Sequence, residues 1–240
     1  MLFVSWSFAV FLPLVFALHY LGRRQGWQVG VLTVASFLFY GWTNPSLIPL
    51  LAAVCLVNSL ASLELLSEGR PRSQRRWTLV LALVFNLGTL AFFKYAALLG
   101  RLLLPVGLWA KWGAWLSDIP LPVGISFFTF QGISLVVDAW YAGRQGIPGL
   151  PAPESGRQVG SHFAKVTFFK AFFPQLIAGP IVKAGEFFHQ IGPKRLAQVN
   201  WDAAVKSLIL GFFLKMVVAD NLKEVTAGIR YPEFLAFPRI

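Results

Sequence analysis

Long stretches without a charged side chain restrict the folds open to this chain. Residues 25–63 contain no Asp, Glu, Lys or Arg, and such a stretch is about twice as long as one helical crossing of a bilayer requires. An Asn-Pro turn signal at 43–46 divides it. The stretch therefore predicts two apolar helices, roughly 28–43 and 46–66, that cross a membrane one after the other.

The composition also favours a membrane protein built from helices. Of the 240 residues, 56% are apolar and 13% are charged, whereas a soluble domain is about a quarter charged. The apolar runs are continuous rather than alternating, which argues against a β-barrel. The predicted fold class is therefore all-α, a polytopic transmembrane helical bundle. The positive charges at the N-terminus follow the first apolar run instead of preceding it, so a retained helix is predicted there and not a cleavable signal.

The net charge of +11 is compatible with nucleic-acid binding or with a membrane topology. We expect membrane lipid and no nucleic acid around this chain, because cytoplasmic loops of membrane proteins carry excess Lys and Arg. The clusters are Arg23 and Arg24; the four arginines of 70–76; Arg144, Arg157 and Lys165; and Lys183, Lys194 and Arg195. Placing all four clusters in the cytoplasm predicts that the N-terminus and Asn44 lie outside.

The rest of the predicted outline follows from shorter patterns. The uncharged run 77–93 and the apolar run 121–143, in which Asp138 is the one charged residue, predict two further spanning helices. The stretches 67–76 and 144–162 are polar and predict loops, the second of them flexible. A last helix is predicted near 202–223.

Residues 102–120 form a separate case because tryptophan recurs there at helical spacing. Trp109, Trp112 and Trp115 predict an interfacial helix on the outer side, with its tryptophans toward lipid. An aromatic box that stacks on a ligand is the alternative.

The sequence FFPQLIAGPIVKAG, at 172–185, combines apolar residues with two prolines and an amide. The uncharged part, 171–182, is too short to span a bilayer and has a length typical of re-entrant segments. Each proline removes a backbone donor and leaves a carbonyl unpaired, which membranes tolerate only where the backbone is buried in protein or lines a wet cavity. The segment therefore predicts a broken, re-entrant element facing a polar cavity. A spanning helix kinked by proline is the alternative.

Polar residues inside apolar stretches are candidate functional residues. The candidates for lining a funnel or substrate path are Gln131, Asp138, Lys170, Pro174, Gln175, Gly179, Pro180 and Lys215. Lys215 and Asp220 are five residues apart, so an ordinary α-helix would not stack them. Cys55 is the one cysteine and is predicted to be a small core residue. No Ser/His/Asp constellation and no metal-ligand spacing is present, so neither a catalytic residue nor a metal site is predicted.

Three stretches, in this order, resemble the membrane-bound O-acyltransferase family, and in particular its alginate O-acetyltransferase branch. They are LPVGISFFTFQGISLVVDAWYAGR, FFPQLIAGPIVKAGEF and LILGFFLKMVVADNL. The stretches FLFYGWTNPSLIPLLAAVCLVNSLAS and NLGTLAFFKYA are similar to that branch as well. The resemblance therefore extends over nearly the whole chain.

The resemblance implies transfer of an acyl group, typically acetyl, at the bacterial inner membrane toward an exopolysaccharide such as alginate or acetylated cellulose. The donor would be a cytoplasmic thioester on coenzyme A or an acyl carrier, with no bound cofactor. The partners would be a periplasmic acetyltransferase and the polysaccharide machinery. The family's helices form a thick ring around a thin, funnelled centre.

The chain also departs from the family pattern. Family members are longer, and their catalytic histidine lies in a segment that this chain does not contain. His19, His162 and His189 are predicted to be solvated or interfacial. Residues 1–240 are therefore interpreted as the N-terminal part of a single membrane domain, without the catalytic C-terminal half and inactive alone. The alternatives are a truncated or non-catalytic assembly subunit and a transporter or channel subunit.

Overall fold

The computed structural model describes residues 3, 5–42, 44–67, 69–177, 179–180 and 182–226. Within these residues every regular element is a helix, apart from a single bridge between Ile147 and Leu150, so the all-α prediction is confirmed there. The chain divides into two compact units, residues 1–194 and 195–240.

Nine α-helices belong to the described part of the first unit and two to that of the second. The first unit contains α1 Trp6–Leu21, α2 Gln25–Gly41, α3 Ile48–Leu66, α4 Arg72–Leu103, α5 Val106–Ser117, α6 Ile125–Ala142, α7 Gly156–Ala171, α8 Phe173–Leu176 and α9 Ala184–His189. The second unit contains α10 Trp201–Phe213 and α11 Asp220–Val225.

The turn between α2 and α3 lies where the Asn-Pro signal predicts it. The side chain of Asn44 accepts hydrogen bonds from the backbone N–H of Ser46 (3.2 Å) and from its hydroxyl (2.6 Å). A short 3₁₀ turn, Pro45–Leu47, then leads into α3. Proline is tolerated at this position because the first turn of a helix leaves its N–H groups unpaired in any case.

Helix α3 is the centre of the first unit, and α4 lies at its edge. Both Pro45–Leu66 and Arg72–Leu103 are long and apolar enough to cross a membrane. In the apolar 18-residue stretch of the first helix, 39% of the residues are buried within the unit, compared with 11% in that of the second. Helix α3 packs against α4, α6 and α7. The polytopic topology of the remaining helices stays a prediction from sequence.

Two of the predicted loops are partly helical. Within 67–76 the helix α4 already begins at Arg72, after Pro71, because arginine is a good helix former and proline is suited to the position before a helix. Within 144–162 the helix α7 begins at Gly156, with Ser155 and Gln158 forming a capping box. Ile147 and Leu150 of the same stretch are buried, so the prediction of a flexible loop is wrong in these parts.

Helix α5 confirms a helix within 102–120 but corrects its predicted exposed face. Trp112 and Trp115 are 48% and 56% exposed, whereas Trp109 packs against Gly100 and Gly113. The two glycines leave room for the indole ring, which is half-buried against them. The interfacial position of α5 remains a prediction.

In the second unit, α10 and α11 are joined by a π-helical segment, Leu214–Ala219, which agrees with the helix predicted near 202–223. A π-helix hydrogen-bonds i to i+5, so it brings residues five apart onto one face. Lys215 and Asp220 accordingly form an ion pair between Nζ and Oδ1. The expectation that these two side chains are not stacked is wrong for this reason.

Candidate functional site

Four helices of the first unit, α3, α4, α6 and α7, enclose a group of buried polar side chains. They are Asn58, Asn86, Gln131 and Lys170, each at most 1% exposed, and we call them the polar cluster. Burying a polar group costs free energy unless it is hydrogen-bonded. Burial of these four side chains is therefore unfavourable unless hydrogen bonds within the unit offset its cost.

Asn58 of α3 and Asn86 of α4 form a reciprocal amide pair. Nδ2 of Asn58 donates to Oδ1 of Asn86 (3.2 Å), and Nδ2 of Asn86 donates to Oδ1 of Asn58 (3.0 Å). Each amide also donates at 2.8 Å to the carbonyl four residues earlier in its own helix, that of Val54 or Ala82. Both amide nitrogens are thus fully used as donors, and the pair fixes α3 against α4.

Lys170 reaches across from the last turn of α7 to α6. Its Nζ donates to the backbone carbonyl of Phe128 and lies 5.9 Å from the centroid of the Phe128 ring. Among the described residues, no carboxylate pairs with this amine. An ammonium group has three donors, so the Lys170 amine can donate further hydrogen bonds inside the unit.

Gly132 of α6 provides the space in which these groups meet. A Cβ atom at this position would lie 2.7 Å from Oδ1 of Asn58 and 2.7 Å from Nζ of Lys170, and would overlap Oδ1 of Asn86. The amide pair and the amine therefore converge on one point of the α6 backbone. Any larger residue at 132 would have to displace all three groups.

Gln131 precedes this glycine and is also buried, at 1% exposed. Its Oε1 has no hydrogen-bond partner among the described residues. A buried acceptor left unpaired costs about 1–3 kcal/mol. Gln131 therefore adds a buried, unpaired acceptor to α6, one residue before Gly132.

The helix that carries Lys170 ends immediately after it. Phe172 has φ −50° and ψ 106°, outside the helical region, and the four-residue helix α8 follows with Pro174 in its first turn. Pro174 has no N–H to donate to the preceding turn, which explains why α7 does not continue. The described residues between Leu176 and Ala184 form no helix, and Gly179 there has φ 122°. We call residues 172–183 the broken segment.

The broken segment is held by neighbouring helices. The backbone N–H of Phe173 donates to the hydroxyl of Ser36 in α2 (3.1 Å). A Cβ on Gly124, at the start of α6, would overlap the carbonyl oxygen of Leu176. Gln175 is 9% exposed, and its Nε2 lies 3.4 Å from the carbonyl oxygen of Pro180. The break therefore has defined side-chain and backbone contacts on both sides.

After the break the chain folds back along α7. The ring of Phe187, in α9, lies 5.4 Å from that of Phe168 and 5.1 Å from that of Phe169. About one turn earlier on α7, Nζ of Lys165 donates to the carbonyl of Gly149 (2.9 Å). A Cβ on Gly149 would overlap the carbonyl oxygen of Phe188, in α9. Residues 165 and 188 thus flank the same glycine.

A buried glutamine of α2 holds the chain after α9. Gln28 is 3% exposed. Its Nε2 donates to the carbonyl of Lys194 (2.8 Å), and its Oε1 accepts from the N–H of the same residue (2.8 Å). The two hydrogen bonds hold the backbone at Lys194 against α2.

The candidate residues predicted from the sequence lie in several separate parts of the structure. Lys170 and Gln131 belong to the polar cluster, and Pro174, Gln175, Gly179 and Pro180 belong to the broken segment. Asp138 is half-buried on α6, where its carboxylate lies 3.4 Å from the hydroxyl of Ser134. Lys215 is exposed in the second unit and paired with Asp220. The residues that were not predicted are Asn58, Asn86, Ser36 and Gln28.

His162 differs from its prediction as a solvated or interfacial residue. It is 2% exposed, and its Nε2 lies 2.9 Å from the hydroxyl of Ser62 in α3. The reason is that α7 begins at Gly156, so His162 belongs to a packed helix and not to a loop.

The chain is similar to several curated bacterial proteins. It is 32% identical over 204 residues to the peptidoglycan O-acetyltransferase of Helicobacter pylori, a match that covers 79% of this chain and 38% of the relative. It is 31% identical over 218 residues to the probable alginate O-acetylase of Pseudomonas aeruginosa, covering 89% of this chain and 38% of the relative. The corresponding protein of Azotobacter vinelandii is 31% identical over 221 residues, covering 90% and 41%.

The chain thus spans about two fifths of the length of these relatives. No family model matches it, and no solved structure matches it.

Proposed function

Because this chain belongs to the membrane-bound O-acyltransferase family, we propose that it forms the N-terminal part of a bacterial O-acetyltransferase of the inner membrane. The similarity to an O-acetyltransferase and to O-acetylases over 79–90% of the chain carries this proposal. The acceptor we propose is a hydroxyl group of a polysaccharide exported to the cell surface. The reaction would be completed by residues of the remaining part of the domain.

Acetyl transfer from a thioester requires an attacking hydroxyl, a base and a departing thiol. The hydroxyl oxygen forms a bond to the acetyl carbonyl carbon, the carbon–sulfur bond breaks, and the hydroxyl proton passes to a base. His162, the one histidine of the first unit that is fully buried, contacts the hydroxyl of Ser62 and is only 2% exposed, so a substrate cannot reach it. We therefore propose that this chain positions substrates and that the base lies in the rest of the domain.

The broken segment is the element we propose for that positioning. Non-helical backbone at membrane depth persists only where protein or a wet cavity surrounds it. The return of α9 alongside α7, and the contacts of residues 165 and 188 with Gly149, support a segment that enters and leaves a membrane on the cytoplasmic side. The carbonyls left without helical partners would then line the path of the donor thioester, which comes from acetyl-CoA or an acyl carrier.

The polar cluster anchors the start of that segment to α6. Lys170 is the last-turn residue of α7, and its bond to the Phe128 carbonyl joins the start of the break to α6. Gln131 and Gln175 are the two amides we propose beside the path. On the outer side, we propose that the assembled enzyme passes acetyl groups to a periplasmic transferase that acts with the polysaccharide machinery.

The proposal predicts no activity for this chain alone and activity when the domain is complete. In P. aeruginosa lacking its own alginate O-acetylase, the 240-residue chain should add no ester-linked acetate to exported alginate. Co-expression with the C-terminal part of the P. aeruginosa relative should restore acetate, measured after mild alkaline release. As a control, the same C-terminal part is co-expressed with the N-terminal part of the P. aeruginosa relative.

Acetate released from cells expressing this chain alone would overturn the proposed division of roles. Acetate restored by the control pair but not by this chain, with both chains present in the membrane, would argue against alginate as the acceptor.

A further inference from the structure

The N-terminal end of α4 forms one wall of a groove of about 980 Å³. Its lining combines charged, polar, aromatic and aliphatic side chains, namely Arg72, Ser73, Arg76, Trp77, Leu79, Val80 and Trp140. Neither the polar cluster nor the broken segment contributes a residue to this groove. We infer that it binds an anionic phospholipid, with the phosphate between the two arginines and an acyl chain along α4.

The charge in the groove is positive and without a counterion among the described residues. Arg70 pairs with Glu64 at 3.6 Å, and Thr78 donates to the same carboxylate, so that carboxylate is already engaged. Arg72 and Arg76 are exposed and have no carboxylate partner in the described part of the chain. They lie four residues apart on one helix face, which places their guanidinium groups side by side, and guanidinium groups bind phosphate through paired N–H donors.

The opposite wall of the groove is fixed by a third arginine. The guanidinium carbon of Arg75 lies 5.3 Å from the ring centroid of Trp140, and its NH2 group donates to the Trp140 carbonyl (3.0 Å). This contact orients the indole as a rigid apolar surface next to the charged rim. The groove therefore places an apolar surface directly beside its charged rim.

An apolar stripe continues from the groove along α4. Trp77, Leu81 and Val84 are 66%, 63% and 62% exposed, and their spacing places them on one face of the helix. Arg72 precedes Trp77 by five residues, about 7.5 Å along the axis at the helical rise. Basic groups at the end of a candidate span, above an exposed apolar stripe, match the headgroup and acyl layers of one leaflet. This continuity favours a lipid over a soluble phosphate compound.

The test measures the affinity of the purified chain, in neutral detergent micelles, for phosphatidylglycerol and for phosphatidylcholine of the same acyl length. We expect tighter binding of phosphatidylglycerol. The double variant Arg72→Gln/Arg76→Gln should weaken that binding roughly 30-fold. Each substitution removes the binding free energy that one arginine contributes near an anionic lipid surface, and the two contributions together correspond to this factor. The matched control is Arg23→Gln/Arg24→Gln, an exposed pair at the start of α2 that does not line the groove, and it should leave the affinity unchanged.

A second variant and two soluble competitors separate the alternatives. Trp77→Ala should weaken binding of long-chain phosphatidylglycerol more than that of the dihexanoyl form, while circular dichroism confirms an intact helical fold. Equal affinities for the two headgroups, or equal losses in the two double variants, would overturn the inference. Displacement of phosphatidylglycerol by inorganic phosphate or coenzyme A at comparable concentrations would overturn the assignment to a lipid.

Discussion

Replacing Gly124 by alanine should destabilise the first unit by roughly 3 kcal/mol, more than an ordinary surface substitution does. Gly124 has φ 76°, a left-handed conformation that costs a residue with a Cβ about 1–2 kcal/mol. The added Cβ would also overlap the carbonyl oxygen of Leu176. Backbone cannot yield as a flexible side chain can, so the start of α6 would separate from α8. Equilibrium unfolding in denaturing detergent, followed by circular dichroism, measures the change.

Gly69 provides a control with the same backbone conformation. Its φ is 75°, and a Cβ there would meet no atom within 4 Å. Gly69→Ala should therefore cost only the backbone term, about 1–2 kcal/mol. Equal losses of stability in the two variants would mean that the contact between Gly124 and Leu176 does not hold the broken segment.

Gly132→Ala should disturb the polar cluster and, with it, acetyl transfer. The methyl group would displace the amide oxygens of Asn58 and Asn86 and the amine of Lys170 at the same time. Overpacking of this kind costs about 1–3 kcal/mol. In the paired-expression assay described above, we expect at least a tenfold fall in alginate acetate, because a loss of about 1.4 kcal/mol in positioning corresponds to a factor of ten.

Gly88 of α4 is the matched control for this substitution. It lies inside a helix, and a Cβ there would meet nothing within 4 Å. Gly88→Ala should be neutral or stabilising by up to about 1 kcal/mol, since alanine is the better helix former. Unchanged acetate and stability in Gly132→Ala would contradict a role for the close approach at this glycine.

Much of the helical outline is predictable from uncharged runs, because apolar length and turn signals are local properties of the sequence. The break between α2 and α3 at Pro45 is an example. The start of α4 is not predictable in this way. Arginines mark polar surface, but they are also good helix formers, so the charged stretch 72–76 extends the helix instead of ending it.

The candidate site is only half predictable, for a related reason. Lys170 and Gln131 are conspicuous because each is polar within an apolar run. Asn58 and Asn86 are also polar within such runs, but their significance lies in their pairing across two helices, which is a tertiary property. The space at Gly132 is tertiary as well, since glycine within a helix gives no indication of what approaches it.

Labelling of single cysteines in intact cells tests most directly whether the broken segment is re-entrant. The background is Cys55→Ala, which removes the chain's one cysteine, and Lys165→Cys and Lys183→Cys introduce probes before and after the break. Ser73→Cys is the reference for the side that carries the arginines. If the segment is re-entrant, an impermeant reagent should leave all three probes unlabelled until the membrane is opened. Labelling of one lysine position but not the other, from outside, would place them on opposite sides and contradict the re-entrant segment.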